Sequence, residues 1–312
     1  MNVKSIKEQF ADTMLEVGSN DSNLVVLVGD IGHFILQPFA KKCPGRYYNI
    51  GICEPTMISM AAGLSRMGFY PVVHTIAPFI IERSFEQLKL DFCYQKLGGN
   101  LVTVGSAFDY SNLGCTHHCY GDFAMLKLLQ GTEIVYPSSP IEFDRLFKQT
   151  YKNDKLTLLR VPTKQHGYSF DDDEINIGKG LKVTDGNNLT IVVTGPQLKN
   201  VMDARDELSN LGFDAEIIYI HTILPLDNEI ILESVRKTRR VIVVEEHMRN
   251  GGLGDDVLRI VAELDRLQFS SVSIPNQFIY GYGSYEDLCA KVGLNKDGII
   301  SKICEDFMKK PD

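Results

Sequence analysis

Arg46-Tyr47-Tyr48-Asn49-Ile50-Gly51-Ile52-Cys53-Glu54-Pro55-Thr56-Met57-Ile58-Ser59-Met60-Ala61-Ala62-Gly63-Leu64 contains a strand, a turn and a helix in succession. The β-rich run Arg46 to Ile50 stops at Gly51. Pro55 suits a first helical turn, where its missing N–H is not needed and its fixed φ is already helical. The residues from Thr56 to Met67 are almost all apolar or small, which predicts a buried helix. A strand followed by such a helix is the repeating unit of a parallel α/β sheet. Glu54 lies at the mouth of the helix. A carboxyl there would be partly desolvated, and burial disfavours its charged form, so it is able to hold or share a proton near neutral pH. A helix-start glutamate favoured only by the dipole is the structural alternative.

Working outward, apolar β-rich runs alternate with helical patterns along the whole chain. In the first part, strands are expected at Leu24 to Val28, Tyr70 to Thr75, Leu101 to Gly105, Thr132 to Tyr136 and Leu156 to Val161. Helical patterns cover Lys4 to Val17, Ile80 to Leu97, Gly121 to Leu129 and Pro140 to Tyr151. The polar stretch Thr163 to Gly180, with its Asp171-Asp172-Asp173-Glu174 run, lacks periodicity and reads as a connector. Beyond it, strands at Leu189 to Thr194, Ala215 to Ile220, Arg240 to Glu245 and Ser271 to Ile274 alternate with helices at Gln197 to Leu211, Asn228 to Val235 and Gly252 to Leu264. The expected architecture is α/β in two domains, each a mostly parallel sheet flanked by helices. The domains are residues 1–165 and 187–312, with a linker at 166–186. Gly251-Gly252-Leu253-Gly254 opens a helix after a strand but lacks dinucleotide-binding spacing, so a tight turn needing glycine is expected.

Composition removes several classes of function. At 312 residues the chain exceeds the usual size of one domain. Hydrophobic content of 44% and charged content of 23% are ordinary for a globular protein, and no apolar run approaches the roughly 18 residues of a membrane span. The N-terminal residues 1–10 have interspersed charge and no signal-peptide core. Seven cysteines without a Cys-x-x-Cys pair fit reduced thiols. A cytoplasmic protein is expected. A net charge of −8 without a basic stripe argues against nucleic acid as a partner.

A second constellation lies beyond the strand Leu101 to Gly105, in Ser111-Asn112-Leu113-Gly114-Cys115-Thr116-His117-His118-Cys119-Tyr120-Gly121-Asp122. Sites in open α/β sheets gather at strand carboxyl ends. His117 and His118 could exchange protons with a substrate oxygen. Zinc held by Cys115, His117, His118 and Cys119 is a second reading, although structural zinc sites ordinarily pair two such clusters. Packed, satisfied histidines are the third.

Together these features make the chain resemble the C-terminal section of transketolase, its pyrimidine-binding domain plus its C-terminal domain, over nearly the whole length. The segment Arg46 to Leu64 is similar to the family's glutamate segment, with Pro55-Thr56 where the family usually has Gln-Asn. His74-Thr75-Ile76-Ala77-Pro78-Phe79, then Arg83 and Glu86-Gln87, is similar to its aromatic segment. Gly114-Cys115-Thr116-His117 matches its Gly-Pro-Thr-His loop, and Gly29-Asp30-Ile31 is similar to the end of its first pyrimidine-domain strand. His221-Thr222-Ile223-Leu224-Pro225-Leu226-Asp227, Val244-Glu245-Glu246-His247 and Gly251-Gly252-Leu253-Gly254 resemble recurring features of the C-terminal domain.

The resemblance implies thiamine diphosphate as cofactor, and transfer of a two-carbon ketol unit from a ketose or its phosphate to an aldose. It implies that Glu54 hydrogen-bonds the aminopyrimidine ring nitrogen and favours the imino tautomer that takes the thiazolium proton. Phe79 would stack on that ring; Asp30, Ile31, Ile76 and Arg83 would lie near the cofactor. His117, His118 and Arg160 would meet substrate. The family's Gly-Asp-Gly motif for diphosphate and Mg²⁺ does not occur in this sequence, so those ligands are expected from an N-terminal, diphosphate-binding partner subunit, with a heterotetramer as the assembly. Leu113 stands where transketolases carry an acidic residue that contacts a sugar hydroxyl, and Gly105-Ser106 where a phosphate-holding histidine lies, which points to a modified sugar. The β subunit of a 2-oxoacid dehydrogenase, a deoxyxylulose-phosphate-synthase-like enzyme and a non-catalytic assembly subunit are the alternatives.

Overall fold

The computed structural model describes residues 4–308; residues 1–3 and 309–312, the ends of the two expected domains, lie outside the described residues. Twelve strands are found among the described residues: β1 (Leu24–Val28), β2 (Tyr47–Asn49), β3 (Tyr70–Ile76), β4 (Gly99–Val104), β5 (Thr132–Val135), β6 (Leu156–Val161), β7 (Gly180–Thr184), β8 (Leu189–Thr194), β9 (Ala215–Ile220), β10 (Thr222–Leu224), β11 (Arg240–Met248) and β12 (Gln268–Ile274). They form a seven-stranded sheet in the order β10-β5-β6-β4-β3-β1-β2 and a five-stranded sheet in the order β12-β11-β8-β9-β7. Every pairing is parallel except β10 with β5 and β7 with β9. The central strands β1, β4, β6, β8 and β9 are buried along their whole length, as parallel strands covered on both faces must be.

Several features depart from the expected outline, among them helices Gln37–Lys42, Tyr285–Lys291 and Lys296–Phe307, which it lacks. Gly180–Thr184, inside the stretch read as a linker, is the antiparallel edge strand of the second sheet, and Asp227 Oδ2 accepts the Gly180 N–H at 3.1 Å. The short strand β10 leaves the second unit and completes the first sheet, with Tyr136 N–H donating to His221 O at 2.8 Å. The single helix expected over Ile80 to Leu97 is three pieces, Ala77–Ile81, Phe85–Gln87 and a π-helical run Leu88–Cys93. The break has a local cause: the Arg83 N–H reaches back to Pro78 O at 3.1 Å, and the Ser84 hydroxyl donates to Phe79 O at 3.1 Å.

The core is continuous across the two sheets. Leu126, Ile134 and Tyr136 pack in one cluster with Ile218, Ile220 and Val243. A second cluster joins Ala107 and Phe108 of the first unit to Val244, Ile274 and Ile279 of the second. Helix Glu54–Arg66 differs from its expected full burial. It buries Glu54, Met57, Ile58, Ala61 and Ala62 and leaves Ser59, Met60 and Gly63 exposed.

Candidate active site

The register of the first sheet brings the site together. Val28 of β1 pairs with His74 of β3 and with Asn49 of β2, and Ile76 of β3 pairs with Val104 of β4. The carboxyl ends of these four strands therefore share one edge. From it emerge Asp30 and Ile31, the Gly51–Glu54 turn, the Ile76–Phe79 segment and the loop that carries His117.

Asn49 locks the first two of these together. Its Oδ1 accepts the N–H groups of Asp30 (3.1 Å) and Gly51 (3.0 Å), and its Nδ2 donates to Asp30 Oδ1 at 3.0 Å. Asp30 sits at φ 54° and Gly51 at φ 79°, so both turns are left-handed and the second needs its glycine. Glu54, only 1% exposed, then opens its helix. Its Oε2 takes a 2.6 Å ion pair from Arg83 Nη1, while Oε1 is buried without a hydrogen-bond partner. An unpartnered carboxylate oxygen in the interior is costly, so a donor from outside the chain fits here. The break between helices Ala77–Ile81 and Phe85–Gln87 swings Arg83 back towards this carboxylate. Its guanidinium also lies 4.1 Å from the centroid of Phe79 and covers one face of that ring. Edge-on to Phe79, at 5.3 Å, stands the imidazole of His117, with Tyr110 5.9 Å away on another side. The Thr116 hydroxyl is 2.9 Å from His117 Nδ1. Ile31 and Ile76 are half-buried beside Asp30 and Phe79. Glu54, Phe79, Arg83 and His117 thus form one connected group, with the Asp30–Asn49 clamp at its side.

Two expected residues are placed elsewhere. His118 is buried against the rings of Phe108 and Tyr120 with neither ring nitrogen bonded, and burial, then the neighbouring His117, lowers its pKa. Arg160, expected to meet substrate, is fully buried at the junction of the two units. Its Nε lies 2.9 Å from Asp122 Oδ2, its Nη2 donates to Cys119 O and Glu246 O, and Phe123 and Tyr136 each stack 4.6 Å from the guanidinium carbon. The cation pairs inside the chain, and its Nη1 has no hydrogen-bond partner there. Among the described residues no group of three or more His, Cys, Asp or Glu side chains is set to hold a metal, so the zinc reading of the Cys115–Cys119 segment has no geometry behind it.

Sequence reasoning missed Asn49 as a clamp, Tyr110 as a neighbour of His117, and the interior network around Arg160. That network includes Glu246, bonded to Gln197 Nε2 at 2.9 Å and to the Tyr285 hydroxyl. The turn at Gly251–Gly254 also has a definite occupant. The buried Glu245 carboxylate accepts the N–H groups of Leu253 (2.7 Å) and Gly254 (2.8 Å) at the start of helix Leu253–Val261. The helix N-terminus expected to need glycine is an anion site filled by the chain's own side chain.

Comparison with known proteins bears on this geometry. Residues 3–167 match the family model of the transketolase pyrimidine binding domain, and residues 178–299 that of the transketolase C-terminal domain. The chain is 31% identical over 312 residues to an apulose-4-phosphate transketolase subunit of Phocaeicola vulgatus, covering 99% of each chain. It is 30% identical over 301 residues to the 1-deoxy-D-xylulose-5-phosphate synthase of Halothermothrix orenii, covering 93% of this chain and 46% of that one. Among solved structures it superposes with a TM-score of 0.87 and 25% identity on a split gene transketolase, an inactive beta4 tetramer, over 99% of this chain and 100% of that one.

Proposed function

The chain belongs to the transketolase family, and on that premise we propose that it is the pyrimidine-side subunit of a two-subunit enzyme that moves a two-carbon ketol unit from a ketose to an aldose. The observation that carries this reading is Glu54, a buried carboxylate with one oxygen tied to Arg83 and the other awaiting a donor. Thiamine diphosphate, when bound, supplies an electron sink for breaking and re-forming a carbon–carbon bond beside a carbonyl. Glu54 Oε1 would accept a hydrogen bond from, and hold a proton at, the aminopyrimidine ring nitrogen. Phe79, Ile31 and Ile76 would supply apolar walls for that ring, and the Asp30–Asn49 clamp would fix the turn beside it. His117, set between two aromatic rings, would donate to a substrate oxygen.

Mg²⁺ takes hard oxygen ligands, and among the described residues no group of three or more His, Cys, Asp or Glu side chains is set to hold a metal, so we assign the diphosphate and Mg²⁺ site to a partner subunit. Ile52 (74% exposed) in the Glu54 turn and Met60 (42%) on its helix, with Phe34 (89%) in the loop that follows Asp30, offer apolar surface to that partner. The substrate is a sugar other than the ordinary pentose phosphates. Leu113, 43% exposed beside the His117 loop, gives a sugar hydroxyl no polar partner, and the Phocaeicola relative is named for apulose 4-phosphate.

The reading is tested with the complex isolated from native cells, supplied with thiamine diphosphate and Mg²⁺. Ketol transfer from xylulose 5-phosphate and from apulose 4-phosphate to ribose 5-phosphate is measured for wild type and Glu54→Ala. Turnover with at least one ketose, lost by ~100-fold or more in the variant, is expected from removal of a proton-handling group. Equal rates in the two proteins would make this a non-catalytic subunit. Consumption of pyruvate in place of a ketose would favour the deoxyxylulose-phosphate-synthase-like reading, to which the likeness with the Halothermothrix enzyme also speaks.

A further inference from the structure

The segment between β12 and helix Tyr285–Lys291 belongs to the second unit, yet it ends at the catalytic loop of the first. Ile279 anchors it, 7% exposed, in the same core cluster as Ala107 and Phe108. Around that anchor Phe278, Tyr280 and Tyr282 are 66%, 83% and 71% exposed. Tyr282 is not loose: a Cβ on Gly114 would lie 2.8 Å from its Cε1 and 3.5 Å from its Cδ1 and Cζ, so the ring rests on the bare backbone of Gly114. Gly114 has φ 76° and begins the turn closed by His117 N–H donating to Gly114 O at 3.0 Å. The ring therefore touches the first residue of a turn whose last residue is His117. Gly281, at φ 96°, lets the chain carry the ring there. The Tyr282 hydroxyl makes no hydrogen bond within the described residues, most of the side chain is exposed, and so are Leu113 and Cys115, the chain neighbours of Gly114.

We infer that Tyr282 is a substrate-positioning residue, lent by the second domain, whose ring and hydroxyl receive the part of the sugar remote from the reacting carbon. This rests on the transketolase reading above. A tyrosine offers an apolar face to the C–H groups of a sugar and a polar tip to its hydroxyls, and it loses little freedom in doing so. A glycine-backed aromatic beside a leucine is the kind of wall that accepts a sugar poorly matched by charged partners.

The test uses the isolated native complex with Tyr282→Ala and Tyr282→Phe, with xylulose 5-phosphate and apulose 4-phosphate as ketose probes and ribose 5-phosphate as acceptor. With the ketose that wild type uses better, Tyr282→Ala raises KM by about three- to tenfold, the range of one lost aromatic contact, while kcat and thiamine diphosphate affinity hold; Tyr282→Phe recovers most of the loss. Independently of turnover, iodoacetamide labelling of Cys115, followed by mass spectrometry, is slowed by the ketose in wild type and in Tyr282→Phe but not in Tyr282→Ala. An unchanged KM and unchanged protection in Tyr282→Ala, beside an active wild type, overturns the inference alone. A fall in kcat together with cofactor affinity overturns it in favour of a purely structural contact. A wild-type complex that transfers no ketol unit from either ketose overturns the reading on which it rests.

Discussion

Glu54 has one oxygen committed and one free, and the asymmetry makes its neighbours as informative as the residue itself. Arg83 neutralises the carboxylate and leans on Phe79, so one cation sets the charge and the packing of the cleft together. Another buried group, His247, is fixed as neutral imidazole: Nδ1 donates to Met248 O at 2.7 Å and Nε2 accepts the Ala124 N–H at 3.3 Å. Burial first, then the charge of Arg160, pushes its pKa down to about 3. The unfolded chain takes up this proton below about pH 6.5 and the folded chain does not, so the contribution is intact above that pH and is lost as pH falls towards 3. Urea midpoints measured between pH 7 and pH 4.5 should fall with acidity, with a share of up to ~1.4 kcal/mol per pH unit from this histidine. His247→Gln should flatten the slope without abolishing it, because His74, lowered by burial to about 4, titrates in an overlapping window. Identical slopes would contradict the assignment. At this scale Glu54, Phe79 and His117 stand out in the sequence because each sits in a short local motif, and the structure brings their side chains into one group. The surroundings of Arg160 were not, since Cys119, Asp122 and Glu246 come from remote segments that only folding brings to it.

Among the elements, the turn ahead of helix Leu253–Val261 shows how a glycine can be required by room rather than by backbone angle. Gly252 has an ordinary φ of −75°, but a Cβ there would lie 2.5 Å from Glu245 Oε2. Gly252→Ala is expected to destabilise the protein by ~1–3 kcal/mol, the usual range for overpacking a filled site, measured as a shift in denaturant midpoint; no shift would mean that Glu245 gives way freely. Burial pushes the Glu245 carboxyl up to about 7 against the pull of the two amide donors, so the turn carries a proton-sensitive group. Element boundaries followed from continuous apolar runs in β1, β6, β8 and β9, but β4, equally buried, begins two residues before and ends one residue before the expected Leu101 to Gly105. Periodicity failed for Ala77–Cys93, because the apolar pattern continues through the break and the hydrogen bonds that bend the chain are made by Arg83 and Ser84 locally. It failed also for β7 and β10, short strands whose pairing depends on partners far along the chain.

At the scale of the whole molecule the two sheets are sewn together by a shared core, by β10 and by the interior cluster around Arg160. Removing that cation leaves the buried Asp122 without its partner, so Arg160→Met should cost ~3–5 kcal/mol, read from denaturant unfolding. Arg160→Met combined with Asp122→Asn should recover part of the loss, and additive losses would contradict a direct pairing. No helix among the described residues is long and apolar enough to cross a membrane, and the apolar surface around Glu54 faces outward. The buried Glu54 carboxylate, in a chain whose described residues show no group of three or more His, Cys, Asp or Glu side chains set for a metal, fits the proposal of a catalytic centre shared with a partner subunit. Isolating this chain, tagged, from its native cells and measuring its stoichiometric partner and bound thiamine diphosphate decides whether the enzyme is split between two chains. One co-purifying chain that carries a Gly-Asp-Gly motif is expected, with thiamine diphosphate retained by the pair and its retention weakened by Glu54→Ala. A chain that elutes alone and takes up no cofactor, even with added Mg²⁺ and thiamine diphosphate, would contradict it.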